Sequence, residues 1–156
     1  MSKRLGNSLP DELFARLHGA DAGDWADQAV LIATVDPQLR PHPALLSFDE
    51  LYAPEPRRLR LATYADSATT ANLRQRGTVT LCLVGPGAVW YVKARARELL
   101  PNLVADGSQA CFEAVVEDVQ LAVAKAAVEG DVDLLSGIPV RRPRPEPPLR
   151  ERLRRA

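Results

Sequence analysis

From Ala29 to Val35 the chain is a nearly continuous apolar run rich in β-branched residues, closed by the turn-forming stretch Asp36–Arg40. This predicts a strand. A second strand is expected from His42 to Phe48, and a third from Leu59 to Tyr64, where apolar and polar residues roughly alternate. The stretch Ser67–Gly77 interrupts the strands with a short helix, since Ser67 is a natural N-cap and Gly77 a natural stop. Strands resume over Thr78–Val84, turn at Gly85–Gly87, and continue from Ala88 to about Glu98 and from Gln109 to Val119. Helices are expected at both ends. The first spans about residues 9–18, with Ser8 as cap, Pro10 in the first turn and Leu9, Leu13 and Leu17 on one face; the second spans Ala122–Leu135 with a break at Gly130. Spacing this short favours an antiparallel meander over β-α-β units, and closure of about six strands into a small barrel removes exposed edges.

Composition narrows this to one domain over residues 1–138, followed by an Arg/Pro-rich tail over 139–156. Of 156 residues, 46% are hydrophobic but only 5% aromatic, so the core must be built from Val, Leu and Ala. Net charge is zero, yet the tail holds seven arginines against Glu146 and Glu151, a net of +5. Its prolines forbid regular structure over 141–148, while Leu149–Arg155 can form one or two basic helical turns; a solvated tail, or one laid across a partner subunit, is expected. Balanced charge gives no reason to expect a nucleic-acid partner. No apolar run nears the roughly 20 residues that span a bilayer, and the opening residues carry no signal-peptide core, so a cytoplasmic protein is expected. Cys82 and Cys111 lack zinc-ligand spacing, no other metal-ligand motif is present, and both cysteines sit in apolar runs, as reduced buried thiols do.

Candidate chemistry is thin. No nucleophile elbow, phosphate loop or His-Glu-x-x-His motif occurs, so any catalysis must come from a cofactor. The most informative stretch is Leu61–Arg74, where a strand runs straight into a hydroxyl-rich helix start. Free N–H groups there, with the hydroxyls of Ser67, Thr69 and Thr70 and the charge of Arg74, suit a phosphate cradle; ordinary helix capping explains the same residues. On the strand from Ala88, period two puts Tyr91, Lys93, Arg95 and Arg97 outward and Trp90, Val92, Ala94 and Ala96 inward. The outward row is either solvated surface or an anion-binding wall. His42, in the stiff turn Arg40–Pro43, is a third candidate.

The ordered set Val30–Asp36, Arg40–Ser47, Leu59–Tyr64, Ser67–Leu73, Thr78–Leu83 and Tyr91–Arg97 resembles the FMN-binding split-barrel proteins, the broad family that includes pyridoxamine 5'-phosphate oxidase. The resemblance spans roughly residues 25–120. It implies a mainly β fold: a six-stranded antiparallel split β-barrel with one short helix between strands three and four, forming a homodimer with two flavin sites at the interface. It also implies that Thr63 and Tyr64 lie beside the flavin, that Ser67, Thr69, Thr70 and Asn72 hold its phosphate, and that Ser47 and Lys93 approach it. The chain departs from the oxidases where their phosphate turn has adjacent Arg and Lys, here Ala68 and Thr69. It departs again at Ala44 and Ser47, which stand where the oxidases have a flavin-contacting Arg and Lys. No histidine follows His42, so the oxidases' C-terminal substrate motif has no counterpart and vitamin B6 oxidation is not expected.

Three readings follow. The first is an FMN-binding, flavin-dependent oxidoreductase or flavin carrier of unknown substrate. No residue stands out as its acid or base beyond Tyr64, Tyr91 and His42, and its catalytic residues are unassigned. The second is a split barrel that binds a deazaflavin or a haem, with His42 as the axial ligand for haem. The third is a non-catalytic dimer.

Overall fold

The computed structural model of the protein describes residues 2–19, 23–123, 134, 137–141 and 149–156. Nine strands and three α-helices lie among them: β1 (Ser2–Gly6), α1 (Asp11–His18), β2 (Gln28–Val35), β3 (Pro41–Ser47), β4 (Leu51–Glu55), β5 (Arg58–Tyr64), α2 (Ala68–Arg76), β6 (Thr78–Gly85), β7 (Ala88–Leu100), β8 (Gln109–Val123), β9 (Ile138–Pro139) and α3 (Leu149–Arg155). The strands form one antiparallel sheet in the order β3-β2-β6-β7-β8-β5-β4, with β1 paired to β8 and β9 to β2. The expected mainly β split barrel is present, with more strands than the six read from the chain.

Alternation decides which side chains fill it. Val30 and Ile32 of β2, Leu81 and Leu83 of β6, Trp90 and Val92 of β7 and Phe112 and Ala114 of β8 point inward and are buried. The opening helix adds Leu13 and Leu17, and the 3-10 turn Phe48–Glu50 adds Phe48. Trp25 packs edge-on against Phe48 and tilted against Trp90, both at 5.5 Å. Gly85 lies under both indoles; a Cβ there would stand 2.9 Å from Trp25 and 3.0 Å from Trp90, so only glycine admits this packing.

Several expectations change. Ser8 does not cap α1; the cap position is Pro10, with no side-chain bond. The N-terminal segment before it is a strand, β1, held by pairing with Gln120–Ala122 of β8. Ala122 and Val123 belong to β8 and not to a helix, while the rest of the helix expected to Leu135 lies almost wholly outside the described residues. The Arg/Pro stretch over 142–148 also lies outside them.

One face of α3 packs onto the barrel, while Arg154 and Arg155 stay exposed. Leu149 and Leu153 of α3 are buried against Tyr52, Ala62, Leu103 and Cys111. The buried Arg150 donates from Nε to the Leu51 carbonyl at 3.1 Å, and from its terminal nitrogen to Arg16 and Leu17 carbonyls at 2.9 and 2.6 Å. It thereby satisfies the open carbonyls ending α1. Arg60 of β5 answers in kind, donating to the Leu153 and Arg154 carbonyls at the end of α3.

Candidate functional site

The junction of β5 and α2 carries the candidate site. Tyr64, the last residue of β5, is 55% exposed. The Ser67 N–H donates back to the Tyr64 carbonyl at 3.0 Å, closing the turn, and Ser67 Oγ accepts the Thr70 N–H at 3.2 Å as the helix cap. The Thr70 hydroxyl is fully buried and donates to the Tyr64 carbonyl at 2.7 Å. Its one proton is thus committed, so the 2.6 Å contact with Thr63 Oγ1 is a bond that Thr63 donates. Two residues on, Asn72 Nδ2 donates to Thr34 Oγ1 of β2 at 3.0 Å, also buried.

The expected cradle residues therefore divide. Thr63, Thr70 and Asn72 face inward and fasten the helix start to β5 and β2. Only the half-buried Ser67 stands at the helix opening; the Thr69 side chain is buried, and the first-turn N–H groups of Ala68 and Thr69 precede any helical carbonyl that could accept them. Those two backbone donors have no side-chain signature; the only signal for them in the chain is the cap itself.

Three other candidates are engaged elsewhere. Arg74 Nε donates to Glu98 Oε1 at 2.9 Å, and a second guanidinium nitrogen lies 3.4 Å from the Ala65 carbonyl, so its charge is tied to the β7 side of the helix. The Glu98 bond holds the Arg74 pKa above its ordinary value. The buried Ser47 gives both its N–H, at 2.6 Å, and its hydroxyl, at 3.0 Å, to the Glu50 carboxylate, and the N–H bond is one half of the capping box that starts the 3-10 turn. Lys93 lies outward on β7, its Nζ 3.8 Å from Asp118, and no contact among the described residues brings it to the start of α2. His42 is half-buried on β3 opposite Thr34, whose hydroxyl lies 3.5 Å from the His42 carbonyl.

The outward faces of four neighbouring strands share one feature. Leu45, Leu31, Cys82 and Tyr91 stand in register across β3, β2, β6 and β7, and the row continues to Gln120 of β8 and Arg4 of β1. Leu45 and Leu31 are 46% and 37% exposed, large values for leucines on a regular sheet. Cys82 within the row is half-buried, and burial raises its pKa.

A model of the family described as Pyridoxamine 5'-phosphate oxidase matches residues 23–135. The chain therefore belongs to the pyridoxamine 5'-phosphate oxidase family, the class its split barrel already indicates. Among curated proteins it is 29% identical over 140 residues to the uncharacterized protein YclD of Bacillus subtilis (strain 168), covering 90% of this chain and 88% of that one. Solved structures share the fold at low identity. A HupZ variant from Group A Streptococcus aligns with a TM-score of 0.55 at 14% identity, over 73% of this chain and 99% of that one. PhzG from Burkholderia lata 383, in complex with tetrahydrophenazine-1-carboxylic acid, aligns with a TM-score of 0.53 at 9% identity, over 69% and 80%.

Proposed function

We propose that the protein binds FMN at the start of α2 and works as a flavin-dependent oxidoreductase in a homodimer. The observation that carries this reading is the Ser67-capped helix start, whose Ala68 and Thr69 N–H groups open beside the exposed Tyr64. A helix N-terminus concentrates backbone donors and about half a positive charge, which suits a phosphate without a cationic side chain. The residues fit the phosphate in that limited sense: the Ala68 and Thr69 N–H groups would hold it, and Tyr64 would flank the ring. Thr63, Thr70 and Asn72 would keep the cradle in place from behind. The bound flavin would supply hydride transfer. With neutral donors only, affinity should fall below that of a site with Arg and Lys, since charge-assisted bonds are roughly twice as strong as neutral ones.

The homodimer rests on the row Leu45, Leu31, Cys82 and Tyr91. A partner covering this row would remove apolar area from water, worth about 25 cal/mol per Å². Membership of the family supports both parts of the reading.

Titration of the purified protein with FMN, followed by quenching of flavin fluorescence, tests the cofactor. Saturable binding at about micromolar concentration is expected, with an affinity near −8 kcal/mol. A colourless protein that leaves added FMN fluorescence unchanged contradicts the reading, and a Soret band in the purified protein replaces flavin with haem.

A further inference from the structure

We propose a second anion site, at the opposite end of α2 from the flavin cradle, that takes a small phosphorylated polyanion. A shallow, open recess of about 600 Å³ lies between the last turn of α2 and the outer face of β7. Arg74, Arg76, Arg95 and Arg97 line it, with Glu98 as the single acidic residue of its lining. This site stands independently of the flavin reading.

Its floor is rigid backbone. Gly77 ends α2 at a φ of +68°, its carbonyl accepts the Ala96 N–H at 2.6 Å, and its N–H returns to the Leu73 carbonyl at 2.9 Å. A Cβ at Gly77 would stand 2.7 Å from the Ala96 carbonyl oxygen, so helix and strand meet there at backbone contact distance. The arginines are thus mounted on two clasped elements, not on a loop.

Their charge is only partly neutralised. Among the described residues, the Arg76 guanidinium bonds only the neutral Gln75 side chain, at 2.8 Å. Arg97 shares the buried Glu113 with Arg58 and Arg60, at 3.1, 3.8 and 3.8 Å, and of these Arg58 also pairs with Glu55 at 3.0 Å, so two carboxylates face three guanidiniums. Arg95 pairs with Glu117 at 3.1 Å, both more than half exposed. Exposed pairs of that kind hold together weakly, whereas a phosphate can take an arginine in a bidentate pair. The end of α2 itself contributes roughly half a negative charge, which Arg76 alone exceeds, since Arg74 is paired with Glu98. No aromatic side chain lines the recess, so it lacks the stacking surface by which a single-stranded nucleic acid would be held. A compact ligand with two phosphates, or a phosphate and a carboxylate, matches arginines presented from two sides.

The test uses the full chain, isotopically labelled, with inorganic pyrophosphate as the probe and the Gly77 and Ala96 amide resonances as the readout, with and without FMN. Saturable shifts at both amides are expected under either condition. Arg76→Gln combined with Arg97→Gln should weaken pyrophosphate binding at least about tenfold while circular dichroism stays unchanged. If the double variant does not fold, the single change at the half-buried Arg76, Arg76→Gln, is read instead, and about threefold weakening is expected. Unmoved amides in the native chain, or equal affinity in the folded variant, overturn the proposal. So does a short single-stranded oligonucleotide that shifts the same amides at lower concentration than pyrophosphate.

Discussion

The Thr70 hydroxyl has one proton and gives it to the Tyr64 carbonyl, and from that single commitment the direction of the Thr63 bond follows. Period and propensity placed a hydroxyl-rich helix start after a strand, and Ser67 and Gly77 as its ends are borne out. What the residue types could not reveal is which hydroxyls face inward. Thr70 reads as a ligand because polar residues at a helix start usually meet solvent, and Thr63 and Asn72 because the family resemblance implies it. Here Thr63 bonds Thr70, Thr70 bonds the Tyr64 carbonyl and Asn72 bonds Thr34, all in the interior, as buried polar groups must. Cys111 shows burial acting on a single group. Desolvation pushes its thiol from the ordinary 9.0 up to about 11, with Arg60 lowering it less. The neutral thiol is therefore favoured by folding: this contribution is intact below pH 9 and is lost as the pH climbs toward 11. In a Cys82→Ser chain at pH 8, Cys111 should be silent to a thiol reagent until denaturant is added. Rapid reaction of the native chain would contradict its burial.

At the scale of elements, α2 is a strap across one end of the barrel. Thr70 ties it to β5, Asn72 to β2 and Gly77 to β7. Gly77→Ala would combine a left-handed backbone, costing about 1–2 kcal/mol for an L-residue, with a Cβ pressed on the Ala96 carbonyl. A loss above about 2 kcal/mol in denaturant unfolding is expected, and a loss below 1 kcal/mol would mean that the clasp yields readily. The central strands were legible because Val30, Ile32, Leu81, Leu83, Trp90 and Val92 alternate with outward residues. β1 was not, because its residues are mostly exposed and it exists only through pairing with β8, more than a hundred positions away. The docking of α3 was hidden for the same reason. Arg150 reads as one more tail arginine until the carbonyls of Leu51, Arg16 and Leu17 are found around it.

At the scale of the whole molecule, Leu45, Leu31, Cys82 and Tyr91 form an outward row in register across four strands of the split barrel. In the homodimer reading this row is the contact surface. Replacing Leu31 by Glu puts a charge where the interface core would be, and burying an unpaired charge costs several kcal/mol. Sedimentation of Leu31→Glu should show a folded monomer where the native chain shows a dimer. A native chain that sediments as a monomer, or a variant that remains dimeric, would remove the row from the interface.

The central claim is that backbone N–H groups at the start of α2 hold the flavin phosphate. Ala68→Pro tests it most directly. Proline is well tolerated at the first helical position, and Ser67, at φ −79° and ψ 155°, already has the extended conformation required before proline. The variant should match the native chain in thermal stability while its FMN affinity falls about tenfold, because one donor to an anionic group, worth about 1.5–3 kcal/mol, is gone. Equal FMN affinity in a stable Ala68→Pro chain would contradict the account and move the flavin phosphate away from this helix.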